Sequence, residues 1–513
     1  MLCSRRDFLR LTGAAAVSAS LPSLTLAETA GPVVHTRLGS LRGLVHDGVH
    51  VFRGVPCALP PYAPERRLRE AVFVPAWKGE LAAVTPGDIP LQAGPKETPV
   101  LGGGDCLRLN IWTPEPGATK CPVMVYFPGG GSVSCNNNDP RFDGQAFARD
   151  GVVLVTANYR VNVDGFLQLP DVPANLGIRD MIAALKWVHE HIAGFGGDPD
   201  RVTVFGQSAG ATHVTSLLAA PAASGLFRRA ILQSPAALAQ NPKELSAKVT
   251  AQLCAFYGIS ATREAMAALP FEQLIRFRAF TASKARDEAW AMLNHGNVSC
   301  FKPYIDGEVL PCRPVDAIRA GSARGVEVMA GSTEEEWRHY TVPHNGLARI
   351  EQADIDRLLR SAGLPADLAE TYRRNGRGQS LGDLFTALQS DFIFRMPANA
   401  VLEAQAQAKG RVWAYSFGWR SPAEGGQLGA AHSCDLPFVF QTLHTPAAIR
   451  QLGDHPPQAL ADAMHGAWVR FATEGTPGWP AFDTQARTTM RFAESCAVVN
   501  DPWKKERQAM LLG

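Results

Sequence analysis

Cysteine is scarce, with ten residues in 513, about 2% against the roughly 8–10% of a disulfide-built scaffold. A chain of this length buries about three-quarters of its unfolded surface and needs no covalent staples. Glycine and proline together, 47 and 37 residues, make about 16% of the chain, below the roughly 25–30% of low-complexity sequence. Disorder and collagen are thereby excluded. Neither sign of charge is in excess: 50 Lys and Arg stand against 48 Asp and Glu. No basic run is interleaved with aromatics, so the chain has no electrostatic footprint for a phosphate backbone and nucleic acid is not an expected partner. No apolar run reaches the ~18 uninterrupted residues of a membrane span.

The N-terminus is the exception to this evenness. Ser4-Arg5-Arg6-Asp7-Phe8-Leu9-Arg10 precedes a weakly apolar stretch from Leu11 to Leu24, and Thr25-Leu26-Ala27 offers small residues for cleavage. This is the pattern of a twin-arginine export signal over residues 1–27, read by a receptor and not an anchor. The expected product is one domain over 28–513, periplasmic or secreted, with no membrane anchor after signal removal. It would carry 47 basic and 47 acidic residues.

Three short runs rich in Val and aromatics are apolar throughout rather than in alternation: Pro122 to Phe127, Val152 to Ala157 and Arg201 to Phe205. Continuous apolarity predicts strands covered on both faces, as in a mostly parallel sheet. Between the second and third, Ile178, Ile182, Leu185, Val188 and Ile192 recur at helical spacing, with Lys186, Glu190 and His191 on the other side. Later runs at Ala230 to Gln233, Val326 to Ala330 and Val412 to Phe417 repeat the alternation, which predicts an open, doubly wound α/β sheet. The stretches Lys243 to Lys284 and Ile350 to Arg395 are helix-like and are read as excursions that cap the site.

Directly after the third strand comes Gly206-Gln207-Ser208-Ala209-Gly210, followed by a helical run from Ala211 to Ala219. In that context the serine stands at a sharp strand-to-helix turn, with the helix N-terminus directing N–H groups at developing negative charge. Without its context the pentapeptide would read as a loop. The first strand runs into Pro128-Gly129-Gly130-Gly131, where bare backbone can approach a substrate oxygen. A triple glycine by itself would equally describe a flexible loop.

These segments, with Phe52-Arg53-Gly54-Val55-Pro56, Asp105-Cys106-Leu107-Arg108-Leu109-Asn110, Phe195-Gly196-Gly197-Asp198-Pro199 and His432-Ser433-Cys434-Asp435-Leu436-Pro437-Phe438-Val439-Phe440, resemble the type B carboxylesterases. The resemblance spans nearly the whole chain after the leader. It implies the α/β-hydrolase fold, ester hydrolysis through an acyl-enzyme, and a Ser-Glu-His triad. Carried over residue by residue, the triad is Ser208, Glu336 and His432, and the oxyanion hole is the backbone N–H of Gly130, Gly131 and Ala209. Within Gly331-Ser332-Thr333-Glu334-Glu335-Glu336, Glu335 becomes the acidic neighbour and Glu334 a solvated turn residue. The resemblance implies small-molecule ester substrates and no metal or organic cofactor.

Several positions depart from the family pattern. Pro128 and Ser132 flank the glycines where aromatics or His are usual, and Gln207 replaces a common Glu, removing a negative charge beside Ser208. Neutral or acidic esters are therefore expected over cationic ones. Trp337 replaces a small residue and is placed as part of the pocket wall together with Gln207 and Ser132. The usual disulfide partner of Cys106 is missing, Cys300 and Cys312 could pair across the Asp306-Gly307 turn, and Cys434 lies close enough to His432 for alkylation there to inhibit. Two alternatives stay open: a non-catalytic binding protein on the same fold, and the same chemistry on thioesters, lactones or amides.

Overall fold

The computed structural model describes residues 29–95, 98–117, 120–283 and 299–510, so the expected leader lies outside the described residues. The strands are β1 Thr29–His35, β2 Ser40–His46, β3 Val49–Pro56, β4 Glu80–Ala82, β5 Gln92–Ala93, β6 Val100–Leu101, β7 Arg108–Thr113, β8 Cys121–Phe127, β9 Val153–Ala157, β10 Gly197–Gln207, β11 Arg229–Gln233, β12 Glu327–Thr333, β13 Val412–Phe417, β14 Thr488–Phe492 and β15 Ala497–Asn500. Thirteen of them form one sheet in the order β1-β2-β3-β7-β9-β8-β10-β11-β12-β13-β14-β15, with β4 beside β2. From β9 to β14 every neighbouring pair is parallel. The β1-β2-β3-β7-β9 flank and the β14-β15 edge are antiparallel.

The three strands predicted from continuous apolarity and the three from the later alternation are β8 to β13, six of the seven parallel strands; β14 is the seventh. Along β8, Val123, Val125 and Phe127 enter one core with Ile178 and Leu185 of the helix Leu176–His191; Met124 and Tyr126 enter the opposite core with Trp468 and Phe471 of the helix Gln458–Glu474. A strand covered on both faces has no solvent side to alternate with, which is why its sequence is apolar throughout. Each such buried side chain stabilises the fold by roughly 1.5–3 kcal/mol.

The two excursions are helical, as their sequence predicts. The first holds Lys243–Tyr257, Arg263–Ala267 and Phe271–Ser283. The second holds Gln352–Ala362, Leu368–Arg374 and Leu381–Ser390 around a small core of their own, with Ile355, Tyr372, Leu384 and Leu388 at its centre. A π-helical turn, Asp391–Arg395, joins this unit to the helix Met396–Gln407. The nine cysteines among the described residues are free: Cys106 is buried, and Cys300, buried, is not bonded to the exposed Cys312. Cys434 is completely buried in the core behind His432, where burial pushes its thiol up out of the reactive range. Reagents in solution have no path to it, contrary to the expected sensitivity.

Candidate active site

Strand β10 ends at Gln207 and the helix Ala209–Ala219 begins one residue later, so Ser208 alone makes the turn. Its backbone has φ 59° and ψ −125°, a conformation that costs a non-glycine residue on the order of 1–3 kcal/mol and persists where neighbours enforce it. One enforcing bond is Ser208 N–H to the Gln233 carbonyl at 2.8 Å. The glycines on either side are required by space: a Cβ on Gly206 would lie 2.6 Å from the carbonyl carbon of Gly210, and one on Gly210 would lie 2.1 Å from the Phe127 carbonyl oxygen.

Strand β8, beside β10, delivers the second component. After Phe127 the chain turns through Pro128 and Gly129 into Gly130, Gly131 and Ser132, whose φ values are 133°, 63° and 61°. Gly130, Gly131, Ser208 and Ala209 all line one cavity of about 620 Å3, within the ordinary size of a small-molecule site.

His432 and Glu336 come from the far side of the sheet centre. Glu336 follows β12 and is fully buried; its Oε1 accepts from Thr333 N–H at 2.7 Å and its Oε2 faces His432 Nδ1. The other His432 nitrogen, Nε2, is 3.0 Å from the Gln207 amide nitrogen. Placing the amide N–H toward Nε2 assigns the imidazole proton to Nδ1, facing the carboxylate. Phe394 packs at a tilt against the His432 ring, centroids 4.5 Å apart, while Tyr340 and His339 stand 5.7 and 6.0 Å from it.

Each of the three consecutive glutamates has its own partner. Arg491 of β14 grips Glu334 through two bonds of 2.7 and 2.9 Å, and Ser416 adds a third. Burial pushes the Glu334 carboxyl up, but the Arg491 bonds outweigh it and hold the group below its ordinary range. The side chain is only 15% exposed, so the solvated turn expected here is corrected to an anchored one. Glu335 bonds Arg338, Arg420 and the Ala430 N–H. Arg395, buried beneath the loop, donates to the Glu334 carbonyl at 2.6 Å and stacks on Trp503 at 3.9 Å.

Gln207 and Ser132 line the cavity as expected, although Ser132 directs its hydroxyl at His213, 2.9 Å away. Trp337 is not among the lining residues. Its ring backs two that are, at 4.6 Å from Tyr340 and 6.4 Å from Phe394. The second excursion reaches the cavity through Ile393 and Phe394; no described residue of the first does, and Ser299 to Pro303 lines that side instead.

Sequence reasoning missed Arg141, Lys302, His339, Tyr340 and Phe394. His339 and Tyr340 follow Glu336 by three and four residues, a helical turn that could have flagged them; the others carried no local signal. The His339 side chain keeps exposed surface, yet desolvation by the cavity wall, then the neighbouring His432, pulls its imidazole down to about 4. Tyr340 keeps 39% of its surface exposed, yet desolvation of its hydroxyl by the cavity wall, then the Glu336 charge, pushes the phenol up. Burial likewise pulls the Lys302 ammonium down to about 8.

Behind the site, burial pushes the Asp435 carboxyl up from 3.8 to about 6, although Gln233 donates to it at 2.8 Å. The native state therefore holds this proton more tightly than the unfolded chain. Below about pH 4 the group is neutral in both states and contributes nothing; between there and pH 6 the native state loses stability, by about 2–3 kcal/mol in full. Asp435→Asn is expected to be more stable than wild type to urea at pH 8, the gap closing toward pH 4. An equal gap at both pH values would assign the effect to packing.

The comparisons with known proteins show the family and the fold. Residues 30–510 match the model of the carboxylesterase family. The para-nitrobenzyl esterase of Bacillus subtilis (strain 168) is 32% identical over 500 residues, covering 93% of this chain and 98% of its own. The phenmedipham hydrolase of Pseudarthrobacter oxydans is 32% identical over 477 residues, covering 88% and 93%. Among solved structures, the Geobacillus stearothermophilus carboxylesterase EST55 superposes with a TM-score of 0.82 at 34% identity, over 93% of this chain and 99% of its own. Sequence similarity and sheet topology thus lead to one assignment: the chain is an α/β-hydrolase that belongs to the type B carboxylesterase family.

Proposed function

We propose that the protein hydrolyses small carboxylic esters through an acyl-enzyme formed on Ser208, with His432 as general base and acid and Glu336 as the group that orients it. The observation that carries this reading is the buried Glu336 Oε2 to His432 Nδ1 contact, in a protein whose cavity is lined by both His432 and Ser208. Ser208 Oγ attacks the ester carbonyl as His432 Nε2 takes its proton. The tetrahedral oxyanion is held by the N–H groups of Gly130, Gly131 and Ala209, and collapse transfers the proton to the departing alcohol. Water repeats the sequence on the acyl-enzyme, releasing the acid. Before substrate binds, the Gln207 amide stands at Nε2; substrate binding brings Ser208 Oγ into that place, as catalytic hydrogen bonds commonly tighten in the complex.

The substrates are neutral or acidic esters. Asp139, the one carboxylate among the described lining residues, is ion-paired with Arg141 at 2.8 Å, while Lys302 adds a second cation to the wall. Beside Ser208 stands the uncharged Gln207. Para-nitrophenyl butyrate is expected to turn over, and a serine-directed phosphonate to label Ser208. Butyrylcholine is expected to show a kcat/KM at least about tenfold below that of its isosteric neutral 3,3-dimethylbutyl ester, about 1.4 kcal/mol of discrimination. Equal rates at equal salt would remove the charge argument. A folded protein with neither turnover nor label would replace esterase by binding protein.

A further inference from the structure

The proposed oxyanion donors sit on two separate elements: Gly130 and Gly131 on the loop after β8, Ala209 at the start of the helix after Ser208. Donors of this kind act only when their spacing is fixed to a fraction of an ångström. The loop is tied internally at the Gly130 carbonyl, which accepts from the Val133 and Ser134 N–H groups at 3.1 and 3.0 Å, and at the Ser132 carbonyl, which accepts from Asn162 N–H at 2.8 Å, but none of these bonds reaches the helix that carries Ala209.

Two buried side chains bracket the loop. At its front, the Tyr159 hydroxyl donates to the Pro128 carbonyl at 2.6 Å. At its back, Ser132 Oγ lies 2.9 Å from Nε2 of His213, a residue on the helix that begins with Ala209. The two holders touch each other, the His213 ring meeting Tyr159 edge-on at 5.1 Å and packing on Phe166 at 4.9 Å. Both holders are completely buried, and Ser132 is 5% exposed. Burial pulls the His213 imidazole down to about 3, so it stays neutral at working pH, and Nδ1 has no hydrogen-bond partner among the described residues. A ring whose other nitrogen is left unsatisfied in an apolar core costs stability that Leu or Phe would not. The Ser132 bond is what the imidazole provides in exchange, and Pro128 and Ser132, the ends of the bracket, are the two positions where the glycine loop departs from the family pattern.

We infer that His213 is a positioning residue: through Ser132 it fixes the Gly130 and Gly131 donors relative to Ala209. This inference rests on the serine esterase reading above.

The test uses the whole protein with Ser132→Ala, His213→Leu, their double variant and His213→Gln, whose amide can restore a polar contact to Ser132. Three quantities are read with para-nitrophenyl butyrate as substrate: kcat, KM, and the inhibition constant of an aryl trifluoromethyl ketone, whose adduct presents a tetrahedral oxyanion, beside that of the corresponding methyl ketone. Ser132→Ala and His213→Leu are expected to lower kcat about 10- to 100-fold, as loss of alignment does, with KM held within about twofold. The fluoroketone should weaken by the same factor and the methyl ketone should not. The double variant should be no slower than the slower single, and His213→Gln should regain most of the loss. Ser132→Ala removes one oxygen and keeps the packing, so it decides the matter even where His213→Leu does not fold. A folded Ser132→Ala with unchanged kcat and fluoroketone affinity overturns the clamp, as do multiplicative single effects. Wild type that neither turns over nor takes a phosphonate on Ser208 overturns the parent reading and the clamp with it.

Discussion

Ser208→Ala is expected to lower kcat for para-nitrophenyl butyrate by about 10⁴- to 10⁶-fold, and His432→Ala by a similar factor. In the proposed mechanism the nucleophile and its base form one proton-transfer unit, so removing either disables the other. The double variant should therefore be no slower than the slower single, the remaining rate coming from the oxyanion donors and binding. Steady-state kinetics against the uncatalysed rate, with circular dichroism to show that each variant folds, would check this. Retention of more than about 1% of wild-type kcat by folded Ser208→Ala would transfer the chemistry to another residue.

The next largest effect belongs to the acid. Glu336→Gln is expected to lower kcat about 10²- to 10⁴-fold, while Glu335→Gln stays within about tenfold of wild type. The sizes differ because the environments do. Glu336 is fully buried and faces the imidazole, whereas Glu335 is spent on Arg338, Arg420 and a backbone N–H. A glutamine at 336 can still accept from Thr333 N–H, but then its amide donates toward Nδ1. That reverses the imidazole tautomer and puts a proton on Nε2, where the Ser208 proton must go. Stopped-flow or steady-state kcat of the two variants side by side is the check; a larger loss at 335 than at 336 would shift the acid by one residue.

The parts of the molecule legible from sequence are those whose local chemistry suffices. Strands β8, β9 and β10 announce themselves because burial on both faces demands an unbroken apolar run. The turn at Ser208 does so because Gly206 and Gly210 face backbone where no side chain fits. The antiparallel flank was not legible: β1 to β3 mix Gly, His and Arg with Val, and one face is only half covered. Glu334 read as solvated because its partner, Arg491, lies 157 residues away. Phe394 and Arg141 reach the cavity by tertiary placement, and no spacing near Ser208 or His432 encodes them. Nothing in the sequence around His213 marks it; what distinguishes it is Ser132, the residue across from it.

The grip of Arg491 on Glu334, two residues before Glu336, bears on the order in which the site can come into being. Synthesis runs from the N-terminus, so the sheet centre, Ser208 and the glycine loop are made first, the acid loop later and the histidine later still. Strand β14, which carries Arg491, is the last parallel strand to leave the ribosome. Ser208 is thus made long before the strand whose Arg491 holds Glu334, two residues from the proposed acid, and a nascent chain already folded around Ser208 still lacks that anchor.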